Sequence, residues 1–369
     1  MHPTWYTLDN QEDIESPALL LYPDRIAENI ENCLKIAKIP ERLRPHVKTH
    51  KIPALIRMHL DRGIRQFKCA TLAEAQMIAE TGGKDILIAY PLFGPSLRKF
   101  VRLMEQFPDC RFSTLIDQAA SIQEWENHLT GSSFKVKLLV DIDCGMGRTG
   151  IQPGQKAFDL YQTVALSPSL MIGGLHVYDG HIRESSFEDR QKACALAFEP
   201  VKQLILQIEA AGLPLPEFIC GGSPSFPVHA QFPERNLSPG TYIFWDQGYA
   251  TLFPDMDFKT AAVILCRVIS KPTENVLCLD LGHKAIASEM PHPRVHFFEI
   301  PIYEALSHSE EHLVISCPNA AQFAPGDCIY GIPTHICPTT ALHEKVWIVE
   351  NHQAQSTWTV TARKRLIDV

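Results

Sequence analysis

The sequence predicts an α/β protein in which a (β/α)8 TIM-type barrel precedes a C-terminal, mostly antiparallel β-domain. Up to about residue 240, short apolar runs alternate with longer amphipathic ones, as in successive βα units of a parallel sheet. From residue 241 onward, apolar residues recur at every second position and long helical patterns stop, which indicates antiparallel strands. The length of 369 residues suits this division, because a barrel of eight βα units needs on the order of 250 residues.

The first part contains eight short apolar runs that we predict to be the barrel strands. They are residues 18–22, 43–49, 66–71, 85–90, 111–117, 135–142, 171–178 and 217–221. Helical patterns separate them, for example at 25–37, 72–81 and 190–211. Eight strands favour a closed barrel over an open doubly wound sheet, and no GxGxxG sequence follows the first strand. We therefore assign residues 15–240 to the barrel.

The second part, residues 241–369, shows the period-two pattern of a β-domain. Its predicted strands are residues 261–269, 275–281, 295–300, 312–316, 345–350 and 356–362.

Composition and charge exclude several classes of protein. The net charge of -8, without a basic stripe, argues against nucleic-acid binding. No signal-peptide pattern and no apolar run of ~20 residues is present, so we expect a cytoplasmic protein without membrane contact. The 11 cysteines are scattered without a CxxC pair, which argues against a disulfide framework.

The basic segment RPHVKTHK, residues 44–51, contains the first candidate for chemistry. Pro45 favours an extended backbone, so Lys48 should lie at the end of a strand, where the active sites of parallel barrels are found. The neighbouring cations can lower the pKa of a lysine enough for it to form a Schiff base with a carbonyl compound. Taken alone, a basic cluster of this kind is more often a solvated surface.

Three further segments follow predicted strands. The run DIDCGMGRTG, residues 141–150, forms a glycine-rich loop that contains Arg148, and the run GGLHVYDGH, residues 173–181, ends the seventh strand. There Tyr178 should face the barrel mouth, His181 in the next loop is a candidate base, and His176 is better explained as a hydrogen-bonded core histidine.

The run CGGSPS, residues 220–225, follows the eighth predicted strand. Loops after the last two strands of such barrels often bind phosphate, because backbone N–H groups favour an anion. We expect Gly221, Gly222 and Ser223 to provide these groups.

These segments resemble the D-threonine aldolase and D-serine dehydratase family, which is alanine racemase-like and carries pyridoxal 5'-phosphate (a fold-type III enzyme). RPHVKTHK is similar to its cofactor-lysine segment and DIDCGMGRTG to its DxGMGRxG segment, and the similarity extends over nearly the whole chain. The resemblance implies that Lys48 holds the cofactor, that Arg148 contacts the cofactor's ring hydroxyl and that Tyr178 stacks on the ring. It also implies a cofactor contact from Tyr242, and it places residues 1–14 with the β-domain, where residues 6–8 would add a strand.

One segment departs from the racemases that the chain resembles. They have an Arg-Pro-Gly run whose arginine faces the cofactor's pyridine nitrogen, whereas residues 238–242 here are SPGTY. A nitrogen that is free to protonate makes the ring a stronger electron sink, which disfavours racemisation.

The run PTHICPT, residues 333–339, resembles the metal-binding segment of the family. If it is a strand, His335 and Cys337 point the same way and can bind one divalent cation. Some aldolases of the family have an oxygen ligand at the second position, and the dehydratases have cysteine there. Cysteine favours zinc over manganese, and both metals remain candidates.

The expected function is a pyridoxal phosphate- and metal-dependent lyase that cleaves a 3-hydroxy D-amino acid to glycine and an aldehyde, as D-threonine aldolase does. Cys337 keeps D-serine dehydratase-like β-elimination open as the alternative. An amino-acid racemase and a non-catalytic pyridoxal phosphate carrier are further alternatives, although such carriers lack a second domain. The resemblance also implies a homodimer.

We predict that borohydride reduction of the protein loaded with pyridoxal phosphate labels Lys48. The reduced bond survives proteolysis, so mass spectrometry of the peptides identifies the lysine. A Lys51→Met variant should still be labelled at Lys48. Label on Lys51 or Lys284 in the unmodified sequence would contradict the assignment.

Overall fold

A computed structural model describes residues 4–131 and 134–367. The chain divides into two compact units. The barrel unit contains Cys33–Lys48, Leu55–Gly240 and Lys364–Val369, and the β unit contains Met1–Asn32, Thr49–Ala54 and Thr241–Arg363.

The first strand of the chain, β1 (Ala18–Leu21), belongs to the β unit, and the next seven form the parallel sheet of the barrel unit. In spatial and chain order these seven are β2 (Gln66–Cys69), β3 (Asp85–Pro91), β4 (Arg111–Ile116), β5 (Val136–Ile142), β6 (Leu170–Val177), β7 (Phe218–Cys220) and β8 (Asn236–Leu237). Leu87, Leu115, Leu139 and Ile219 pack together as a buried cluster. These four side chains come from four different strands, so they form a core inside the sheet.

Residues 43–46 close this sheet into a barrel. They form parallel bridges to both of its edge strands, β2 and β8. The Arg44 N–H donates to the Leu237 carbonyl (2.8 Å), and the Lys68 N–H donates to the Pro45 carbonyl (2.9 Å). Residues 43–46 therefore act as the eighth strand of the barrel, and the predicted fold class is confirmed.

Two of the predicted barrel strands need correction. Residues 18–22 do not belong to the barrel, because β1 lies in the other sheet and is buried on both faces there. An apolar run that is buried on both faces has the same sequence pattern in either sheet. The missing position is filled by β8, whose two residues are too short to give a pattern. In addition, the predicted strand at 43–49 ends early, because Val47–Thr49 forms a turn of 3-10 helix.

The helices of the chain connect these strands and flank the sheets. They are α1 (Pro23–Ala37), α2 (Pro53–Leu60), α3 (Leu72–Thr81), α4 (Pro95–Gln106), α5 (Ala120–Leu129), α6 (Gln155–Leu166), α7 (Phe187–Ala210), α8 (Phe226–His229), α9 (Gln247–Leu252) and α10 (Ile336–Leu342). Helix α3 shows how the sequence sets the bounds. The Thr71 side chain accepts the Glu74 N–H at its start, and Gly82 ends it in the left-handed conformation. Within the described ranges, no helix is long and apolar enough to span a membrane.

The β unit contains one nine-stranded sheet, whose strand pairs are antiparallel except for the β1–β15 pair. Besides β1, its strands are β9 (Ala262–Thr273), β10 (Val276–Leu279), β11 (Val295–Phe297), β12 (Glu304–His308), β13 (Leu313–Ser316), β14 (Cys328–Pro333), β15 (Lys345–Glu350) and β16 (Gln353–Thr359). The antiparallel β-domain is thereby confirmed, and β12 and β14 are additions to it. Residues 6–8 are not a strand, contrary to the expectation. The Tyr6 ring instead stacks on Phe298, with 3.7 Å between the ring centroids. This contact between side chains does not require the backbone hydrogen bonds of a strand.

An ion-pair network surrounds the buried Arg44 side chain. Its guanidinium donates to Asp85 (2.6 Å) and Glu217 (2.8 Å), and these carboxylates also bind Arg111 and Lys137. Arg44 is therefore neutralised by acidic partners, and it does not add an unpaired charge near Lys48 as the sequence suggested.

We predict that Arg44→Ala lowers the free energy of unfolding by about 3 kcal/mol, the lower end of the range for breaking a buried ion pair. The variant removes the buried cation that Asp85 and Glu217 share, but Arg111 and Lys137 remain as their more exposed partners. Urea unfolding followed by circular dichroism measures this change. Lys192→Ala, which breaks an exposed pair with Glu188, is the control and should change stability by about 0–1 kcal/mol. Equal midpoints for the two variants would contradict this role.

Candidate active site

Lys48 lies directly after the segment that closes the barrel. It is half-buried within the 3-10 turn Val47–Thr49, and its backbone N–H points to the Nδ1 atom of His46 at 3.4 Å. The turn thus replaces the expected strand end, but it still places Lys48 at the carboxyl end of this barrel segment.

The loop that contains Arg148 follows β5 and is held by two aspartates. The Asp143 carboxylate accepts two backbone N–H groups of the loop, and the Asp141 carboxylate accepts the Thr149 hydroxyl (2.9 Å). Gly150 has a φ of +100°, and a Cβ there would lie 2.7 Å from the Asp143 nitrogen. Only glycine fits this position without rearranging the loop.

Arg148 and Tyr178, both predicted to contact the cofactor ring, lie beside each other. The Arg148 guanidinium carbon lies 5.1 Å from the centroid of the Tyr178 ring, within the range of a cation–π contact. The Tyr178 ring also packs against Gly222, where an added Cβ would lie 3.0 Å from a ring carbon. Loops from three different barrel strands therefore meet at Tyr178.

His176 and His181 differ in their surroundings. His176 is buried, and its Nδ1 lies 2.7 Å from the Asp141 carboxylate. Burial alone raises the pKa of Asp141, but the hydrogen bond and charge of His176 hold it below its ordinary value. The interpretation of His176 as a hydrogen-bonded core histidine is confirmed. His181 is exposed, and its ring covers Gly145 in the loop that contains Arg148.

The glycine loop after β7 is ordered by hydrogen bonds within the chain. The Gly221 N–H donates to the Val177 carbonyl (3.2 Å) and the Gly222 N–H to the Ser225 hydroxyl (3.1 Å), while the Ser223 hydroxyl accepts the N–H of Gly240 (3.0 Å). The two glycine N–H groups that we expected to face phosphate thus have protein acceptors in this structure. Phosphate binding by this loop therefore requires either the Ser223 side chain or glycine N–H groups that give up their present protein acceptors for the phosphate.

Tyr242 lies in the β unit. Its side chain is buried, and its ring packs against Phe258 with 5.9 Å between centroids.

Asp179 belongs to a buried polar network that sequence reasoning missed. Its carboxylate accepts the Ser225 hydroxyl (2.6 Å) and lies 2.7 Å from the Nε2 of His229. Arg235 lies 2.8 Å from the Nδ1 of the same imidazole. Since arginine can only donate, the His229 proton lies on Nε2 and is donated to Asp179. No spacing in the sequence signals this network, because its other members follow Asp179 by 46 to 56 residues.

Asp179, Cys194 and His229 place three possible metal-ligating atoms within 4.8 Å of one another. The hydrogen bonds above already satisfy Asp179 and His229, and the Arg235 cation lies directly beside the imidazole. Burial also raises the pKa of the Cys194 thiol, which disfavours the thiolate that a metal requires. The cluster therefore fits a hydrogen-bonded scaffold for the glycine loop better than a cation site.

His335 and Cys337 lie close together in the β unit, but on a helix start instead of the predicted strand. Strand β14 ends at Pro333, and His335 is the N-cap of α10, whose second residue is Cys337. Pro338 lies in the first turn, where a missing N–H is tolerated, so the sequence favours a helix there. The Asp246 carboxylate accepts the Ile336 N–H (2.9 Å) and fixes this start.

Several groups orient these two side chains. The Nδ1 of His335 lies 2.5 Å from the Glu289 carboxylate. The Cys337 sulfur contacts the hydroxyls of Thr49 (3.3 Å) and Thr241 (3.6 Å). Burial alone lowers the pKa of His335, but Cys337, Glu289 and Asp246 outweigh it and raise that pKa to about 9. Acidic side chains therefore lie beside the imidazole.

This donor set fits a divalent metal. The Cys337 sulfur lies near enough to the His335 imidazole to raise its pKa, and a carboxylate binds the ring on its Nδ1 side, an arrangement typical of metal-ligating histidines. Sequence reasoning missed Glu289 and Asp246, which lie 46 and 89 residues before His335.

Comparison with known families identifies the class. Residues 22–247 match the family model described as "Alanine racemase, N-terminal domain", and residues 261–349 match the one described as "Putative serine dehydratase domain". Because the first match covers more than half of the chain, the chain belongs to the family of the alanine racemase N-terminal domain. The resemblance seen in the sequence is confirmed.

Individual relatives are similar over most of the chain. A D-threonine aldolase from Arthrobacter sp is 27% identical over 87% of this chain and 85% of its own length. A 3-hydroxy-D-aspartate aldolase from Paracoccus denitrificans (strain Pd 1222) is 26% identical over 96% of this chain and 93% of its own. The crystal structure of D-threonine aldolase from Filomicrobium marinum has a TM-score of 0.88 and 28% identity, and it covers 96% of this chain and 97% of that one.

We predict that Arg148→Ala shifts the absorbance titration of bound pyridoxal phosphate to higher pH. A cation beside the ring oxygen stabilises negative charge there, and removing it makes protonation of the chromophore easier. Absorbance spectra across pH measure the shift, and Arg183→Ala in an exposed loop is the control. An unchanged titration in the Arg148 variant would remove this residue from the site.

Proposed function

We propose that this protein is a pyridoxal phosphate- and divalent metal-dependent lyase that acts on a 3-hydroxy D-amino acid, in the manner of D-threonine aldolase. The observation that carries the proposal is the position of Lys48 after the barrel-closing segment, in a chain whose relatives are aldolases of this kind.

Residues of the barrel unit would hold the cofactor. Lys48 supplies the amine that binds it, and Arg148 and Tyr178 provide a cation and an aromatic ring beside each other. Ser223 and the glycines before it are the proposed phosphate contacts. Tyr242, which belongs to the β unit, remains a proposed further contact. When bound, pyridoxal phosphate supplies an electron sink for breaking a bond at the α-carbon.

His181 is the proposed base. It is exposed in the loop after β6, and its ring lies on the loop of Arg148. His176 is less suited to this role, because it is buried and already hydrogen-bonded to Asp141. Exchange of a proton requires an accessible ring, and the His181 ring is exposed.

His335 and Cys337 are the proposed metal ligands, and Glu289 orients the imidazole. Two protein ligands leave coordination positions open, as a Lewis-acid site requires. A metal there would supply polarisation of a hydroxyl oxygen, which is the group that defines a 3-hydroxy substrate. Zinc and manganese are the proposed ions.

Dehydration is the second candidate. The match of residues 261–349 to a serine dehydratase domain includes both proposed metal ligands, and Cys337 agrees with the dehydratase pattern. Racemisation is less favoured, because the position that holds a cation in racemases is Ser238, whose hydroxyl donates to the Arg44 carbonyl (2.9 Å). Homodimer formation and a cytoplasmic location remain predictions.

Product analysis tests the proposal. The loaded protein is incubated with D-threonine and D-serine, with and without a chelator. Glycine and acetaldehyde from D-threonine support aldol cleavage, and pyruvate and ammonia from D-serine support dehydration. Formation of only the enantiomer of each substrate would contradict a lyase.

We predict that Cys337→Ser lowers both metal content and lyase activity but keeps the absorbance of bound cofactor, because the proposed metal ligands lie in the other unit of the chain. Loss of a residue that only supports a metal ligand typically lowers metal affinity by about 10-fold or more. Loss of a ligand itself should lower the affinity by at least as much. Elemental analysis and product assays measure the two effects. Cys328→Ser, half-buried in the same unit, is the control. Full activity of the Cys337 variant in chelator would exclude the metal role.

A further inference from the structure

Lys68 is a buried lysine inside the barrel. It lies on β2, its side chain is 2% exposed, and it is paired in register with His46 of the barrel-closing segment. The chain therefore places it beside the segment that leads to Lys48. Its strand, QFKC, contains both polar and apolar residues, and a lysine in such a strand usually faces solvent.

The ammonium group of Lys68 has no hydrogen bond or ion pair with any residue that the structure describes. Its recorded contact is the Tyr178 ring, whose centroid lies 5.6 Å from Nζ. The Arg148 guanidinium lies 5.1 Å from the same ring. Two cations thus converge on one aromatic side chain.

The nearby acids do not pair with Lys68. The Asp141 carboxylate is occupied by His176 and Thr149, and that of Asp179 by Ser225 and His229. Both acids therefore influence Lys68 through electrostatic attraction, without a hydrogen bond to it. A lysine residue that is almost fully buried is rarely left without a direct partner, which makes Lys68 a candidate for pairing with a ligand.

The charges around Lys68 act in opposite directions. Burial lowers its pKa most, and Lys48 and Arg148 lower it further, while Asp141 and Asp179 raise it. The result is a pKa of about 7. The pKa of Lys68 is therefore well below that of an ordinary lysine, and a new negative charge beside the group would raise it.

We propose that Lys68 is a ligand-binding residue that, together with Arg148, binds an anionic oxygen of the pyridoxal phosphate held by Lys48. This inference rests on the proposed function. The cofactor is favoured as the source of the anion because both cations lie on Tyr178, next to the segment that contains Lys48. The carboxylate of a D-amino acid is another anion that these cations can bind, and the experiment below distinguishes it from the cofactor.

The first test follows the protonation of Lys68 by competitive acetylation across pH, quantified for each lysine by mass spectrometry. Three samples are compared: the protein without cofactor, the protein with pyridoxal phosphate, and the latter with D-alanine, which lacks a 3-hydroxyl group. We expect the midpoint for Lys68 to rise by roughly 1 unit or more on addition of pyridoxal phosphate, because an anion stabilises the ammonium form. The midpoint, and not the extent of reaction, is compared, since a ligand also shields the side chain.

An unchanged or lower midpoint overturns the proposal. A rise that occurs only with D-alanine assigns the anion to the substrate and overturns the assignment to the cofactor. If borohydride fails to label Lys48 in the same preparation, the result contradicts the proposed function itself. Labelled Lys48 with an unshifted Lys68 overturns this inference alone.

The second test compares Lys68→Met with Lys84→Met, an exposed lysine of the same unit. We expect the Lys68 variant to bind pyridoxal phosphate roughly 10-fold more weakly, which corresponds to a pKa change of one unit. Fluorescence quenching measures the affinity. The variant should fold at least as stably as the unmodified protein without cofactor, because it removes an unpaired buried charge. Equal affinity of the two variants overturns the proposal.

Discussion

Closure of the parallel barrel by residues 43–46 is the constraint on which the candidate active site depends. This short segment joins the two edges of the sheet, and Lys48 follows it directly. The ion pairs of Arg44 to Asp85 and Glu217 lie on the same segment, so buried charge pairs also hold the segment that positions Lys48.

Charge is distributed unevenly around the candidate site. Arg44 is neutralised by acids, and Asp141 and Asp179 are occupied by histidines and hydroxyls. Lys68 and Arg148, in contrast, face an aromatic ring. Asp141 and Asp179 are therefore paired within the protein, whereas the two cations converge on an aromatic ring, an arrangement that favours an anionic ligand.

The sequence predicted what repeated patterns and local motifs can reveal. Alternating apolar runs gave the barrel and the β-domain, and the motifs around Lys48, Arg148, Tyr178 and His335 gave the candidate residues. It could not place β1, because ALLL is equally suited to either buried sheet, or β8, because two residues have no period. Glu289 and Lys68 were missed for another reason. A carboxylate 46 residues from its histidine and a lysine in a mixed strand become visible only when folding brings their partners together.

The most direct test of the account is a crystal structure of the protein with pyridoxal phosphate and Mn²⁺, with data collected to locate anomalous scatterers. The account predicts continuous electron density from the Lys48 Nζ into the cofactor, and an anomalous peak beside His335 and Cys337. Continuous density from Lys68, or an anomalous peak at Asp179, Cys194 and His229 instead, would contradict it.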